Sequence, residues 1–306
     1  MKKLLSLVVA SIMIMSLFVG CANTQEQPAP EKPAEETKTI GLAISTLNNP
    51  FFVDLEAGAK AKAQELGATL VTLDSQDDSA TEMSNVEDLI NQGVDLILIN
   101  PTDSDAVKSA VEAANKAGIP VITLDRSANG GEVVSHIASD NVAGGKLAGE
   151  YIVELLGGKG NVVELEGVPG ASAARERGEG FNAAIAESDI EVVAKQTANF
   201  DRAEGLTVME NILQAQPEID AVFAHNDEMA LGALEAIKAS GRDIIVVGFD
   251  ATDDAKAAVE KGEMAATIAQ LPKEIGSLGV DTAIKLLNGE TVEKSIPVAL
   301  QLVTKK

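Results

Sequence analysis

The sequence has 306 residues, of which 45% are hydrophobic and 23% are charged, and its 47 acidic and 24 basic residues give a formal net charge of −23. This excess of negative charge argues against binding nucleic acids or anionic lipids through charge. The single cysteine excludes an intramolecular disulfide and any zinc or iron–sulfur site that needs several cysteines, and the two histidines leave little for a histidine-based metal centre. We therefore expect neither a metal nor a cofactor.

The amino-terminal segment has the pattern of an export signal. Two lysines precede an almost unbroken apolar run from Leu4 to Val19, which is short for a membrane span. A basic start, a short hydrophobic stretch and small residues at its end are typical of a secretory signal. The end of the run resembles a lipoprotein cleavage box, in which Cys21 becomes the lipidated first residue, although Phe18 stands where that box favours leucine. An ordinary signal peptide with an incidental cysteine is the alternative.

The segment after Cys21 has the composition of a linker. Residues 22–37 have no hydrophobic periodicity and are rich in Pro, Glu, Gln and Ala, so they bury too little apolar surface to offset the cost of ordering. We predict a signal peptide over residues 1–20, and the lipid-attachment cysteine with a flexible tether over residues 21–37. The protein is then exported and held on the outer face of the cytoplasmic membrane, in the periplasm or at the cell surface.

From Thr39 onward, short apolar runs alternate with helical patterns. Runs such as 97–99 and 244–247 are apolar throughout, which is typical of parallel strands covered on both faces. The predicted strands are Ile40–Ile44, Thr69–Asp74, Leu96–Asn100, Val121–Asp125, Val133–Ile137, Val162–Leu165, Val192–Ala194, Ala221–Ala224, Ile244–Gly248 and Ala266–Ala269.

Helical patterns fill the intervals between these strands. Examples of apolar residues at helical spacing are Phe52, Leu55, Ala59, Ala63 and Leu66, and also Ala106, Ala110, Ala113 and Ala117. Glycines that are expected to end helices are Gly67, Gly93, Gly118 and Gly241. The alternation predicts an α/β fold with doubly wound parallel sheets, and a body of about 268 residues favours two lobes because it exceeds what one core usually fills.

Polar side chains follow most of the predicted strands. Ligands of open α/β sheets bind outside the carboxyl ends of the strands, where these side chains are expected to meet. Asn, Asp, Arg and Gln pair well with vicinal hydroxyls, and Phe offers a flat face to a sugar ring. The residues at these positions are Ser45, Asn49, Asn100, Asp125, Arg126, Asp140, Asn226, Asp227, Phe249, Asp250 and Gln270. Asp and Asn at strand ends also cap helices, which is the alternative at each such position.

No catalytic constellation is recognisable in the sequence. His136 lies in an apolar strand and His225 follows an apolar run, so both are interpreted as core or edge histidines. There is no Gly-x-Ser-x-Gly elbow and no Walker loop, and the acidic clusters lack the spacing of a calcium loop. An exported α/β protein without a nucleophile, metal or cofactor pattern points to binding rather than catalysis.

Eight segments carry a family resemblance. They are STLNNPFF (45–52), INPTDSDAV (99–107), IPVITLDR (119–126), GEVVSHIASDNV (131–142), SAARERGEGF (172–181), NDEMALGAL (226–234), VVGFD (246–250) and AATIAQLP (265–272). Together they resemble the periplasmic sugar-binding proteins of ABC importers, in particular their ribose-binding members. The similarity extends from Lys38 to the carboxyl terminus.

The resemblance implies a type I periplasmic binding protein fold, with two doubly wound parallel-sheet lobes joined by a three-segment hinge. The lobes comprise residues 38–139 plus 271–299 and residues 140–270 plus 300–306, with crossovers near Ser139–Asp140, Gln270–Leu271 and Ala299–Leu300. It also implies a monomer without enzymatic activity, which captures D-ribose between the lobes, closes on it by hinge motion and delivers it to the permease of an ABC importer.

The resemblance further implies which residues touch the sugar. The expected set is Ser45, Asn49, Phe51, Phe52, Asn100, Asp125 and Arg126 from the amino-terminal lobe, Arg177, Phe200, Asn226, Phe249 and Asp250 from the other lobe, and Gln270 from a crossover. The sugar ring is expected between Phe51 or Phe52 and Phe200. Of Arg175 and Arg177, which lie two residues apart on a helix, at most one is expected to face the ligand.

Three alternatives stay open at this point. A binding protein for another small sugar, such as allose or a furanose-type signal molecule, shares the fold and much of the pocket. A sugar-responsive repressor needs an amino-terminal helix-turn-helix where this chain has an export pattern. An exported hydrolase is the third alternative.

Overall fold

The computed structural model describes residues 37–305. The predicted signal peptide, Cys21 and the tether up to residue 36 lie outside the described residues. Within residues 37–305, none of the helices combines the length and the apolar character that crossing a membrane requires.

Strands and helices alternate along most of the described chain, except that β5 follows β4 and β12 follows β11 without a helix between them. The first elements are β1 (Thr39–Ile44), α1 (Pro50–Glu65), β2 (Thr69–Asp74), α2 (Ser79–Gln92), β3 (Leu96–Ile99), α3 (Lys108–Lys116), β4 (Val121–Leu124) and β5 (Ser135–Ser139). The next are α4 (Asn141–Leu156), β6 (Lys159–Glu166), α5 (Ser172–Ile185), β7 (Asp189–Thr197), α6 (Arg202–Ala215), β8 (Ala221–Ala224), α7 (Asp227–Ser240), β9 (Ile245–Asp250), α8 (Asp253–Lys261) and β10 (Ala266–Ala269). The last are α9 (Pro272–Leu287), β11 (Ser295–Val298) and β12 (Gln301–Thr304).

The strands of residues 37–305 form two six-stranded sheets, with the orders β11-β5-β4-β3-β1-β2 and β12-β10-β9-β8-β6-β7. Neighbouring strands are parallel, except that β12 runs antiparallel to β10. Each sheet has a hydrophobic core on both faces: in β3, Leu96 and Leu98 pack towards α1 and α9, whereas Ile97 and Ile99 pack towards α2 and α3. The predicted α/β fold with two doubly wound parallel-sheet lobes is confirmed.

The chain passes from one sheet to the other three times. It crosses between β5 and α4, between β10 and α9, and between β11 and β12. All three crossings fall where the hinge segments are predicted. Bending at these segments stays a prediction.

Several predicted elements need correction. The sequence pattern missed β11 and β12, because β11 is short and contains Pro297, which is tolerated at its position on the edge of a sheet. The strand predicted at Val133–Ile137 is shifted and runs over Ser135–Ser139. The helix predicted from Ala106 begins only at Lys108. The predicted glycine stops are confirmed, since Gly67, Gly93, Gly118 and Gly241 all have a left-handed backbone.

Candidate functional site

A small cavity of about 230 Å³ lies between the two sheets, at the carboxyl ends of their strands. It is lined by Asn49, Phe51, Phe52, Asp125, Arg126, Ala173, Arg177, Phe200, Asn226, Asp250 and Gln270. Ten of the thirteen predicted ligand residues are therefore brought together, and Ala173 is the lining residue that was not predicted.

Two larger clefts adjoin the cavity, with volumes of about 1110 and 450 Å³. The first shares Phe51, Asp250 and Gln270 with the cavity, and the second shares four of its lining residues. Both clefts include exposed residues such as Asn48, whereas every residue lining the small cavity is buried. The small cavity is therefore lined more completely by buried residues than either cleft.

The loop after β1 supplies one side of the cavity. Asn49 caps α1, since its Oδ1 accepts a hydrogen bond of 2.9 Å from the N–H of Phe51. This cap places the rings of Phe51 and Phe52 in the first helical turn, where they meet edge to face with centroids 5.2 Å apart. Asn49 is thus both a helix cap and a cavity residue, and its amide NH₂ group remains available to donate.

Asp125 and Arg126 follow β4 and form the charged part of this side. The guanidinium of Arg126 lies 4.9 Å from the ring centroid of Phe52 and 5.2 Å from that of Phe200, so it lies close to rings from both lobes. Its Nη1 donates to the carbonyl of Pro101 at 3.3 Å, and its Nε lies 3.8 Å from Asp125 Oδ2. Burial lowers the pKa of Arg126, and the carboxylate of Asp125 opposes that shift.

Arg177 projects from α5 on the opposite side of the cavity. Its Nε donates to Asn141 Oδ1 at 2.8 Å, its Nη1 donates to the carbonyl of His225 at 2.6 Å, and its guanidinium stacks 3.8 Å from the ring centroid of Phe249. Burial lowers the pKa of Arg177 as well, and Asp250 opposes the shift. Arg175 points elsewhere and donates to the carbonyl of Gly170 at 2.8 Å.

Asp250 and Gln270 complete this side from the ends of β9 and β10. The Nε2 of Gln270 donates to Asp250 Oδ1 at 2.8 Å, and Arg177 Nη1 lies 3.8 Å from the same oxygen. Burial raises the pKa of Asp250 well above its ordinary value, and the charge of Arg177 counteracts this. The cavity thus holds two carboxyl groups, two guanidinium groups and several amides within one buried shell.

Phe200 and Asn226 are joined by a hydrogen bond. Asn226 caps α7 with its Oδ1 and donates from its Nδ2 to the carbonyl of Phe200 at 3.1 Å. The ring of Phe200 lies directly on Gly167, where any Cβ would collide with it. Only glycine leaves room for this ring.

Three cavity residues have a left-handed backbone, which is strained for residues other than glycine. The φ angles are 63° at Asp125, 61° at Phe200 and 120° at Asp250. Such conformations cost on the order of 1–3 kcal/mol each and concentrate at functional sites. Their clustering at one cavity is independent support for a binding site there.

Three polar atoms of the cavity residues are buried and have no hydrogen-bond partner within residues 37–305. They are Asp125 Oδ1, Arg126 Nε and Gln270 Oε1. An unpaired buried polar group costs about 1–3 kcal/mol, so these atoms destabilise the protein unless a ligand pairs with them. Two are acceptors and one is a donor, and a hydroxyl group can satisfy either kind.

The remaining three predicted ligand residues do not line the cavity. Asn100 accepts hydrogen bonds from the backbone N–H and the Oγ–H of Ser45, the latter at 2.6 Å, and donates to the carbonyl of Leu124 at 3.1 Å. Ser45 and Asn100 thereby brace the ends of β1, β3 and β4 behind the cavity. Phe249 is fully buried beneath Arg177, because adjacent residues of β9 point to opposite faces and Asp250 takes the cavity side.

Sequence reasoning missed the residues that hold Arg177 from behind. Asn141 begins α4 and carries no signal in the sequence, and of the two predicted positions for His225, core or edge, its full burial shows the core. The N–H of Gly167 donates to His225 Nδ1 at 3.5 Å, so Nε2 carries the proton and donates to Glu164 at 3.1 Å. Burial lowers the pKa of His225, which is therefore neutral at pH 7. No sequence motif predicts these contacts with Arg177, because the residues that make them come from distant segments of the chain.

The two lobes touch each other beside the cavity. The N–H of Ser104 donates to the carbonyl of Gly170 at 3.0 Å, and the N–H of Ser127 donates to Ser172 Oγ at 2.9 Å. The structure therefore represents the closed arrangement.

Among the described residues no group of three or more metal-ligating side chains is placed to hold a metal ion.

Comparison with known proteins identifies the family. Residues 40–291 match the model of the periplasmic binding protein domain. The chain belongs to the periplasmic binding proteins. A member of known fold, a solute-binding protein from Actinobacillus succinogenes with bound D-allose, superposes with a TM-score of 0.83 at 34% identity and covers 88% of this chain and 98% of its own.

Two curated relatives cover nearly the whole chain. The ribose import binding protein RbsB of Escherichia coli is 59% identical over 88% of this chain and 91% of its own length. The protein of the same name from Bacillus subtilis is 52% identical over the full length of both chains. This periplasmic binding protein is accordingly an extracytoplasmic binding protein of an ABC import system and not an enzyme.

Proposed function

We propose that this protein captures D-ribose in the cavity between its lobes and delivers the sugar to the permease of an ABC importer. One observation carries the proposal: a buried cavity of about 230 Å³ presents unpaired polar atoms of Asp125, Arg126 and Gln270 to its interior. The two relatives named for ribose import, at 59% and 52% identity, support the choice of sugar.

The charges of the cavity favour a neutral polyhydroxylated ligand. Asp125 lies 3.8 Å from Arg126 and Asp250 lies 3.8 Å from Arg177, so an additional charge on the ligand would be buried without a partner of its own. Carboxylates accept hydrogen bonds from hydroxyl groups and guanidinium groups donate to them, and such charge-assisted bonds are the stronger kind. Asn49, Asn226 and Gln270 add amide groups that recognise further hydroxyls.

The aromatic rings of the cavity support a position for the sugar ring. Phe51 and Phe52 enter from α1, and Phe200 enters from the segment after β7. We place the C–H faces of the ribose ring between the ring of Phe52 or Phe51 and that of Phe200. Ser45, Asn100 and Phe249 act behind this layer, by holding the strand ends and Arg177.

Binding is coupled to closure of the lobes. The ligand groups come from both lobes, so all contacts form only in the closed arrangement and the sugar shifts the open–closed equilibrium towards it. The three crossings between the sheets serve as the hinge. The closed form is then the shape that the permease recognises.

Calorimetric titration with D-ribose tests the proposal. We expect a single site that is saturated by D-ribose and a weaker response to D-allose and L-arabinose. Absence of a ribose signal at millimolar sugar would overturn it. Tighter binding of D-allose would instead favour the second candidate, a binding protein for another small sugar, which the D-allose complex of the 34% identical structure supports.

The attachment to the membrane is part of the same proposal. Cys21 is the lipidated first residue of the mature chain, and the segment after it tethers a monomeric body to the membrane. Mass spectrometry of the mature amino terminus detects the acyl chains directly. A Cys21→Ser variant should appear in the soluble fraction, and an unchanged membrane fraction for that variant would contradict the anchor.

A further inference from the structure

Asp227 is a fully buried carboxyl group just outside the cavity. It occupies the first turn of α7 and is absent from the cavity lining. Its Oδ2 accepts the backbone N–H of Thr252 at 2.8 Å, and its Oδ1 accepts the hydroxyl of Thr267 at 2.7 Å. A buried carboxyl group is costly, so its two fixed partners indicate a specific task.

One partner of Asp227, Thr252, lies on the turn that carries Asp250, and the other, Thr267, lies on the neighbouring strand β10. This turn is strained, with φ angles of 120° at Asp250 and 55° at Ala251. The N–H of Ala251 donates to Thr267 Oγ1 at 3.1 Å, and the hydroxyl of Thr267 in turn donates a hydrogen bond to Asp227. Two successive backbone N–H groups of the turn are therefore held by Asp227, one directly and one through Thr267.

The neighbouring strand is shaped to admit this carboxylate. Gly248 lies on β9, two residues before Asp250, and any Cβ there would collide with Asp227 Oδ1. Thr252 in addition caps α8 by accepting the N–H of Ala255 at 3.3 Å, so the turn is anchored at its far end too. We name Asp227, Thr252 and Thr267 the Asp227 clasp.

We propose that Asp227 and Thr267 are positioning residues for sugar recognition. The Asp227 clasp holds the strained turn so that the carboxylate of Asp250 stays beside Arg177 and Gln270, facing the cavity. A non-glycine residue leaves such a backbone conformation when its hydrogen bonds are removed. The proposal rests on the proposed function, since Asp250 matters here as a group that binds the sugar.

The test removes one hydroxyl group and keeps the shape of the side chain. Thr267→Val should lower the affinity for D-ribose about 10-fold, because the N–H of Ala251 and the carboxylate of Asp227 each lose a partner. Thr282 is a buried threonine in α9 of the other lobe, so Thr282→Val is the matched control. This variant should bind ribose with the affinity of the wild type. Thermal unfolding of both variants confirms that they are folded.

A double-mutant cycle separates positioning from general destabilisation. If the clasp acts through Asp250, Thr267→Val should change affinity less than about 2-fold when Asp250→Asn is already present. An equal loss in both backgrounds, or wild-type affinity for Thr267→Val, would overturn the inference while the proposed function stands.

Hydrogen exchange provides a readout that needs no ligand. The amide of Ala251 should exchange faster in Thr267→Val than in the wild type, and the Thr282→Val control should leave its rate unchanged. An unchanged rate in Thr267→Val overturns the clasp. A wild-type protein that binds no ribose overturns the proposed function, and the role in recognition fails with it even where exchange is faster.

Discussion

The two lobes hold their charged cavity residues in different ways. In the first lobe, Asp125 and Arg126 are neighbours in one loop, and an oxygen of the former and the Nε of the latter have no partner among the described residues. In the second lobe, Arg177 and Asp250 come from separate elements, and both are already bonded to other protein groups.

This difference suggests a division of labour in the proposed binding of ribose. The second lobe is preorganised, because its charged groups keep their geometry whether or not a ligand is bound. The charged residues of the first lobe leave polar atoms unpaired, whereas the unpaired atom of the second lobe among the described residues is the amide oxygen of Gln270. A ligand therefore gains the strongest new hydrogen bonds from the first lobe. We expect substitutions of the charged cavity residues in the first lobe to lower the affinity for ribose. Substitutions of the residues that hold the charged groups of the second lobe should lower both the affinity and the free energy of unfolding.

The largest expected effect comes from Asp125. Asp125→Ala should weaken ribose binding by about 2–5 kcal/mol, because Arg126 then lies buried without its neighbouring opposite charge and a sugar hydroxyl loses its acceptor. Calorimetry measures the loss. Asp189→Ala, at the exposed start of β7, is the control and should bind as the wild type does. Ribose binding of Asp125→Ala at wild-type affinity would show that the cavity assignment is wrong.

The second effect concerns one buried carboxyl group in each lobe. Burial raises the pKa of both Glu82 and Asp227 to about 7. Both carboxyl oxygens of Asp227 accept hydrogen bonds, whereas Glu82 accepts one at Oε1 and its Oε2 has no partner among residues 37–305. Folded Glu82 thus keeps its proton up to about pH 7, whereas the unfolded chain releases it near pH 4.5. The free energy of unfolding therefore falls as the pH rises through this window, and the loss is complete above it.

Glu82→Gln removes this titration. At one pKa unit per 1.4 kcal/mol, the variant should gain about 3 kcal/mol relative to the wild type between pH 4.5 and pH 8. Urea unfolding at several pH values measures the difference. A constant difference between the two proteins across that range would contradict the raised pKa.

A smaller effect is expected behind the second lobe. Asn141→Ala removes the acceptor of Arg177 Nε, and a hydrogen bond to a charged group contributes about 1.5–3 kcal/mol. Both ribose affinity and the free energy of unfolding should fall, since Arg177 loses a fixed contact in either state. Calorimetry and urea unfolding test this together. A loss of affinity with unchanged stability would mean that Asn141 touches the sugar instead.

The smallest of these effects belongs to the brace behind the first lobe. Asn100→Ala leaves the donors of Ser45 and the carbonyl of Leu124 unpaired, which should lower the free energy of unfolding by about 1–3 kcal/mol. Affinity should change less than it does for Asp125→Ala, because Asn100 lies outside the cavity lining. An affinity loss as large as that of Asp125→Ala would return Asn100 to the ligand contacts that the sequence predicts.

The sequence predicts the fold well where the local pattern agrees with burial. The apolar run of β3 has side chains in the cores on both faces, so its interpretation as a covered parallel strand is confirmed. The sequence predicts strands poorly where their pairing depends on tertiary contacts. β11 contains a proline and pairs only at a sheet edge, and β12 lies antiparallel to a strand that precedes it by more than thirty residues.

For the site, residue type and position at strand ends predict which segments converge. They do not predict which face a side chain takes or what stands behind it. Phe249 and Asp250 are adjacent and were both expected at the ligand, but the pleat of β9 sends one into the core. Asp227, although it stands at a strand end, carries no sign of its bond to Thr267, because forty residues separate the two.

The late return of the chain to the first lobe, between β10 and α9, affects how the protein folds. Ser295 pairs with His136, and Ile275 and Val280 of α9 fill the core that contains Ile40. The first lobe therefore cannot complete its core until nearly the whole polypeptide has been synthesised, and contacts so distant in sequence form slowly. We expect a chain that ends at residue 270 to lack a cooperative urea transition for its first lobe. We therefore expect the first lobe to complete its folding only after nearly the whole chain has been synthesised.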